Sequence, residues 1–349
     1  LSGRTPPATT AKPIAADEAA ALFADLEPIP RLLIAVSGGP DSVALLGLLS
    51  EWAAAPDRPT IAAATVDHGL RAGSAAEAES VAALCRRLGV PHATLPWTGP
   101  KPRTAVQAQA RAARYLLLGQ EAQRLGGAAL ATAHTEDDQA ETILMRMARG
   151  SGPAGLIGMK ARSERDGVVL LRPLLGAAKA RLVATAQAQG LPFVTDPSNA
   201  ETRFERVRWR ALQPALAGEG LDAARLSVLS RRLARMEAAL EQPAELLRAR
   251  LVLPTTTTGV VRLAFARLAN EPEELALRVL ATAVTEVAGP GPMRLERLET
   301  CLDALLRAAR EGRAITRTLS GCVLSLSRSG VLMIRREGMR RRGVHPAAS

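Results

Sequence analysis

An aliphatic run, Leu32-Leu33-Ile34-Ala35-Val36, stops abruptly at Ser37-Gly38-Gly39-Pro40-Asp41-Ser42, and a second apolar stretch, Val43 to Leu49, follows at once. A continuous apolar run bounded by Pro30 and a glycine pair reads as a strand covered on both faces. Pro40 suits a first helical turn, where a missing N–H costs nothing, and the stripe after it has helical spacing. Strand, tight loop and helix in that order aim backbone N–H groups and the positive helix end outward, and Gly38 and Gly39 let an anion approach the main chain. Ser37 and Ser42 add hydroxyls to this phosphate cradle. Asp41 would repel a phosphate unless a cation bridges the two, which points to Mg²⁺. No lysine follows as in a Walker loop, so this is a different phosphate loop.

The alternation continues. Asp17 opens a short helix to Leu26; Ile61 to Val66 is a strand; Ser74-x-x-Glu77 is a capping box; Ala93 to Leu95 is a short strand; Thr104-x-x-Gln107 caps another helix; and Ala128 to Ala133 is a strand. A helix after His134, a glycine-rich loop from Gly150 to Gly158, a strand at 168–171 and a helix at 178–189 complete an α/β, doubly wound parallel sheet. Past Leu216 the pattern shifts to Leu/Ala/Arg stripes, with helices expected at 221–250, 271–287 and 293–310. Short β-like runs at 316–319, 323–326 and 331–334 then predict a small terminal sheet. The expected organisation is a leader and short helix over 1–29, a catalytic domain over 30–216, and a smaller helical and α+β C-terminal domain over 217–349. Its 47% hydrophobic content over 349 residues can fill more than one core.

A net charge of +11 favours a polyanionic partner, nucleic acid before others. Cys85, Cys301 and Cys322 are odd in number and far apart, which suggests neither a disulfide framework nor a C-x-x-C pair and fits a reducing, cytoplasmic setting. No apolar run is long enough for a membrane span.

Two further segments carry chemistry. Asp67-His68-Gly69-Leu70-Arg71 ends the second strand, on the edge where the first loop lies. His134-Thr135-Glu136-Asp137-Asp138-Gln139-Ala140-Glu141-Thr142 follows a later strand, and helical spacing gathers Asp137, Asp138 and Glu141 at one end of its helix. So many carboxylates exceed what capping needs and ask for a cation, Mg²⁺ or an ammonium substrate, with His134 aimed at phosphate or base. Arg203, Arg206, Arg208 and Arg210, interleaved with Phe204 and Trp209, read as an RNA-facing surface. Arg335, Arg336 and Arg340 to Arg342 form a basic tail.

Ser-Gly-Gly-x-Asp-Ser at the first strand resembles the signature of the PP-loop ATP pyrophosphatases, which cleave ATP between the α- and β-phosphates. The succession His134 to Thr142, Arg146 to Gly152, Gly155 to Met159, Arg172-Pro173-Leu174-Leu175 with Lys179, and Asp196-Pro197-Ser198-Asn199 narrows this to the tRNA(Ile)-lysidine synthase family over about 30–210. Arg111 and Tyr115 sit where that family has an Ala-Arg-x-x-Arg-Tyr stretch. Val207 stands where the family tends to have Asn, so that contact does not carry over.

The resemblance implies a carbon–nitrogen ligase using ATP and Mg²⁺ to join L-lysine to the first anticodon cytidine of a tRNA(Ile) with a CAU anticodon. Ser37, Gly38, Gly39, Pro40, Asp41, Ser42 and His68 are then expected to hold ATP, and Asp41 and Asp137 the metal. Asp41, Asp137, Asp138, Glu141 and His134 carry the chemistry, with Asp138 or Glu141 orienting the lysine ammonium. Arg111, Tyr115 and the four arginines 203–210 meet tRNA. A monomer and a homodimer are both compatible with the sequence. The alternatives are a tRNA thiolase of the same superfamily, disfavoured by where the cysteines fall, and a non-catalytic nucleotide or RNA-binding module, disfavoured because no acidic or glycine position is lost.

Overall fold

A computed structural model of the protein describes residues 11–69, 73–99, 106–194, 205–289, 291 and 293–338. The chain divides into two compact units, Leu1–Gly150 with Gly155–Arg231, and Ser151–Ala154 with Arg232–Ser349. Among the described residues no helix is long and apolar enough to cross a membrane.

The first unit runs α1 (Ala16–Phe23), a 3₁₀ turn (Ala24–Leu26), β1 (Arg31–Ala35), α2 (Pro40–Trp52), β2 (Thr60–Asp67), α3 (Ser74–Arg87), β3 (His92–Pro96), α4 (Val106–Arg124), β4 (Ala129–Ala131) and α5 (Glu136–Met147). After a short α6 (Pro153–Leu156) come β5 (Arg162–Arg165), β6 (Val168–Leu171), α7 (Lys179–Ala188), α8 (Glu205–Gly218) and the first turns of α9 (Ala223–Leu251). The six strands are ordered β3-β2-β1-β4-β6-β5, parallel except for β5. Strand order reverses between β1 and β4, the switch point where open α/β sheets bind ligands beyond their carboxyl ends.

The period-2 alternation of β1 divides the core. Leu32, Ile34 and Val36 pack with α2, α3 and α7, whereas Leu33 and Ala35 pack with Tyr115, Leu118 and Ala122 of α4 on the opposite face. Each fully buried Leu or Ile here contributes about 1.5–3 kcal/mol. Gly47 of α2 lets the end of α7 come close: a Cβ there would lie 2.4 Å from Gln189 and 2.6 Å from Leu191.

The predicted strands and helices of this unit are present among the described residues; α6, inside the expected glycine-rich loop, and α8 are additions, and two further points differ. Ser74-x-x-Glu77 does not cap α3: Gly73 is the N-cap and Ser74 already the first helical residue. The antiparallel strand β5 was not anticipated, because Arg-Ser-Glu-Arg has no apolar alternation. Its signal was the turn, Asp166-Gly167, whose φ values of 51° and 75° suit a two-residue hairpin.

In the second unit, β7 (Val252–Leu253), β8 (Val260–Leu263), α10 (Phe265–Leu268), α11 (Glu273–Ala288), α12 (Leu295–Arg310), β9 (Ile315–Leu319), β10 (Cys322–Leu326) and β11 (Leu332–Arg336) follow the rest of α9. The expected terminal sheet has five strands, β7-β8-β11-β10-β9, all pairs antiparallel. It gains β7 and β8 from the stretch between the expected helices at 221–250 and 271–287. Val261, Leu263, Leu324, Leu332 and Ile334 point to one face and bury against α11 and α12.

Candidate active site

The phosphate loop is held from within. Gly38 takes φ +81°, a conformation glycine adopts without strain, and Gly39 is the N-cap of α2 with Pro40 first in the helix. Ser42, buried, donates its hydroxyl to Gly39 O at 2.9 Å and accepts Ser37 N–H at 3.1 Å. Its proton therefore closes the loop, leaving the Ser37 hydroxyl, 3.2 Å away, as the more available of the two.

Three helix N-termini meet at this edge. In α5, Thr135 is the N-cap of a true capping box: Asp138 N–H donates to Thr135 Oγ1 at 3.3 Å, and Thr135 N–H donates to Asp138 Oδ2 at 2.9 Å. Lys179, the first residue of α7, donates its backbone N–H to Asp137 Oδ2 at 2.7 Å and its Nζ to Asp41 Oδ2 at 2.6 Å. Lys179 thus ties α2 and α5 to α7. Burial raises the pKa of Asp41 and outweighs Lys179, with Asp138 and Asp137 adding to the rise.

Among the described residues, two buried carboxylate oxygens have no hydrogen-bond partner: Asp41 Oδ1 and Glu141 Oε2. An unmatched buried acceptor is costly, so each marks a place where a cation or donor is wanted. Among the described residues no three His, Cys, Asp or Glu form a cage for a metal. Mg²⁺ does not need one, since it is commonly held by one or two carboxylates plus substrate phosphates. Asp41 with Asp137 fits that donor set.

Glu141 is fully buried, and Arg210 of α8 grips its Oε1 with Nε at 2.8 Å and Nη2 at 2.7 Å. Burial raises its pKa, opposed by Arg210. Arg210 is therefore committed to a carboxylate of α5, while Arg208 is exposed and Arg206 partly so. Trp209, partly buried, packs against Ala140, Ile143 and Leu144 of α5.

The other side of α5 clamps a loop. Gln139 and Arg146, two helical turns apart, share a face. Gln139 Nε2 donates to Ile157 O at 2.9 Å and Met159 O at 3.1 Å, and its Oε1 accepts Met159 N–H at 2.7 Å. Arg146 Nη1 donates to Gly155 O and Gly158 O at 2.7 and 2.8 Å.

Across the edge the charges are positive. Thr132 Oγ1 lies 2.9 Å from His134 Nδ1 and donates to Leu171 O at 3.2 Å. With its proton so directed, the hydroxyl accepts Nδ1–H, which leaves Nε2 a bare acceptor. Burial pushes the His134 pKa down to about 3; Asp138 opposes this, while Arg172, Arg114 and Arg111 add to it. The imidazole is neutral at neutral pH, and Asp138, which burial raises, is brought below its ordinary value chiefly by the Thr135 main-chain N–H and is ionised. Tyr115, buried, lies between Arg111 and Arg165, whose guanidinium carbons are 5.2 and 4.4 Å from its ring centroid.

Of the expected site residues, Ser37 to Ser42, Asp41, Asp137 and His134 stand at the C-terminal strand edge. Asp138 and Glu141 stand there too, already partnered. His68 follows β2 on the same edge and meets Trp97 edge-on at 6.0 Å, while Asp67 Oδ1 accepts Gly69 N–H at 2.9 Å. Leu70, Arg71, Thr104, Asp196 to Asn199, Arg203, Phe204, Arg340, Arg341 and Arg342 lie outside the described residues, as does the Gln107 side chain. Sequence reasoning gave no role to Lys179, Arg114, Arg172 or Gln139. Lys179 and Arg172 did have a signal, since each sits at an element end on the ligand edge. The three cysteines are free and buried, and burial pushes Cys85 and Cys301 up to about 11, far from thiolate chemistry.

Residues 12–216 match the PP-loop domain family. The chain is 52% identical over 315 residues to the tRNA(Ile)-lysidine synthase of Methylobacterium nodulans, covering 89% of this chain and 92% of that protein. It is 47% identical over 331 residues to the enzyme of the same name from Rhodopseudomonas palustris, covering 92% and 95%. Among solved structures, the U34-tRNA thiolase NcsA of Methanococcus maripaludis aligns with TM-score 0.54 at 16% identity, over 63% of this chain and 78% of that one. At that identity the likeness speaks for the fold alone.

Proposed function

The chain belongs to the tRNA(Ile)-lysidine synthase family, and on that premise we propose that it is a ligase joining L-lysine to C2 of the first anticodon cytidine of a CAU-bearing tRNA(Ile), at the expense of ATP. The observation that carries the site assignment is the convergence of α2, α5 and α7 through Lys179 onto Asp41 and Asp137. The cytosine O2 is a poor leaving group and must be activated first. O2 attacks the α-phosphate of ATP, the bond to the β-phosphate oxygen breaks, and pyrophosphate leaves. The lysine ε-amine then attacks C2, gives up a proton, and expels the oxygen with AMP.

The residues divide this work. Ser37 to Ser42 cradle the phosphates with the main chain and the α2 N-terminus, and His68 lies beside that cradle. Asp41, through its open Oδ1, and Asp137 are placed to hold Mg²⁺, which when bound neutralises phosphate charge. Glu141 Oε2 is the open acceptor for the incoming lysine ammonium, since Asp138 spends Oδ2 on Thr135. His134 Nε2, a bare acceptor in a neutral ring, is available for the base or for the proton the amine gives up. Arg111, Tyr115, Arg203, Arg206 and Arg208 serve tRNA, and Arg210 holds Glu141. The reaction belongs in the cytoplasm, where charged and uncharged tRNA, ATP and lysine meet, and the protein acts there as a monomer or homodimer.

The direct test is transfer of labelled lysine to an unmodified CAU tRNA(Ile) transcript with ATP and Mg²⁺, beside elongator tRNA(Met) and an Asp41→Ala variant. Label should enter only tRNA(Ile), and only with Asp41 intact. ATP cleavage without lysine transfer would sink this reading in favour of another PP-loop ligase.

A further inference from the structure

Arg172 leaves β6 at the strand edge that carries the His134 segment, and its side chain is buried. Its Nη1 donates to Lys160 O at 2.6 Å and Ser163 Oγ at 3.0 Å, yet Nε has no partner. Arg111 and Arg114 come from the N-terminal half of α4, and the charges of all three arginines are felt at His134. The carboxylate felt at Arg114, Asp138, is occupied through Oδ2 by Thr135. Among the described residues none of the three arginines makes an ion pair. Burial pulls down Arg114 and Arg172 and Arg111 adds to both, so an anion arriving beside the unpartnered Arg172 Nε is favoured.

We propose that Arg111, Arg114 and Arg172 form a phosphodiester subsite that grips the RNA backbone beside the reacting cytidine, separate from the loop that holds the ATP phosphates. The assignment rests on the lysidine-forming reading above. ATP has its own cations and dipoles: the α2 N-terminus and Lys179, on the sheet face covered by α2 and α7. Two of the three guanidinium groups rise from α4 on the opposite face, and the third from the end of β6. A cytidine whose O2 must reach the α-phosphate enters across the edge between the two, and brings its flanking phosphates with it. Guanidinium forks match two non-bridging oxygens of a diester, which a lysine would not. Tyr115, stacked on Arg111, fixes the approach of that fork.

The test is fluorescence-anisotropy titration of the full chain with a labelled CAU anticodon stem-loop at several salt concentrations, beside the KM for ATP in pyrophosphate release. Arg111→Gln, at an exposed side chain, is measured first, and Arg114→Gln and Arg172→Gln with a thermal melt to check folding. Each should weaken stem-loop binding roughly tenfold and reduce the slope of log K against log salt by about 0.7–0.9 per lost contact, with the ATP KM within about twofold of wild type. Unchanged RNA affinity and slope in Arg111→Gln and Arg114→Gln overturns the subsite. Weaker ATP binding with RNA affinity intact also overturns it, assigning the arginines to the nucleotide. A wild-type chain that binds no stem-loop overturns the lysidine-forming reading itself.

Discussion

The two sides of the β1/β4 edge hold charge in opposite ways. On the side of α2, α5 and α7 every carboxylate has at least one partner at hydrogen-bond distance: Asp41 and Asp137 on Lys179, Asp138 on Thr135, Glu141 on Arg210. On the α4 and β6 side, Arg111 is held by an aromatic ring and Arg172 by main-chain and hydroxyl oxygens, and neither makes an ion pair among the described residues. The first side is preorganised around two open oxygens, Asp41 Oδ1 and Glu141 Oε2; the second is completed by its ligand. Internal partners fix where a side chain points, and only the lone pairs left over can recognise a cation.

Removing the anion at the centre of the acidic side should do the most damage. Asp41→Ala is expected to cut pyrophosphate release by about 10³-fold or more, the scale of losing a preorganised electrostatic group; near-wild-type release would erase the distinction between the sides. Glu141→Gln keeps the shape and loses the charge. It should lower lysine transfer by about 10²-fold while adenylation of the base continues. Equal losses in both half-reactions would show that Glu141 does not serve lysine alone.

A change behind the acidic side gauges how much its position matters. Gly158 takes φ +76°, and a Cβ there would lie 2.6 Å from the Gln139 carboxamide. Gly158→Ala should cost about 1–3 kcal/mol from backbone strain and disturbed hydrogen bonds, read as a lower urea midpoint. An unshifted midpoint would mean that the clamp does not brace α5.

The smallest effects are in pH. Burial raises Asp41 and Glu141, so activity should fall on the acid side at a higher pH than ordinary carboxylates would give, because protonation removes the anions that receive cations. His134 is depressed to about 3, so its contribution to stability is full above an ordinary imidazole pKa of about 6.5 and is lost as pH falls toward about 3. His134→Asn should flatten the dependence of the urea midpoint on pH across that window. An unchanged slope would place a charged imidazole in the folded protein.

Much of the first unit was legible because its signals are local. The apolar run, the glycine pair and Pro40 set β1, the phosphate loop and α2 within a dozen or so residues, and Gly39 and Pro40 stand where the helix begins. What escaped were elements whose reason lies elsewhere in the chain. β5 exists because β6 offers it an edge, and β8 because β11 pairs with it across a long stretch of sequence. Ser74-x-x-Glu77 fits the capping pattern, yet the chain enters α3 one residue earlier, at Gly73; the box that does form is Thr135 with Asp138.

By itself the sequence determined which chemical groups are present and which short segment carries each, since strand period, helix stripe and turn residues act over a few bonds. Tertiary structure alone decided how those groups are paired and how far they are desolvated. Lys179 reaches Asp41 across 138 positions and Arg210 reaches Glu141 across 69. Charge interactions depend on distance through space and on exclusion of water, and both are set by packing, which no local pattern encodes.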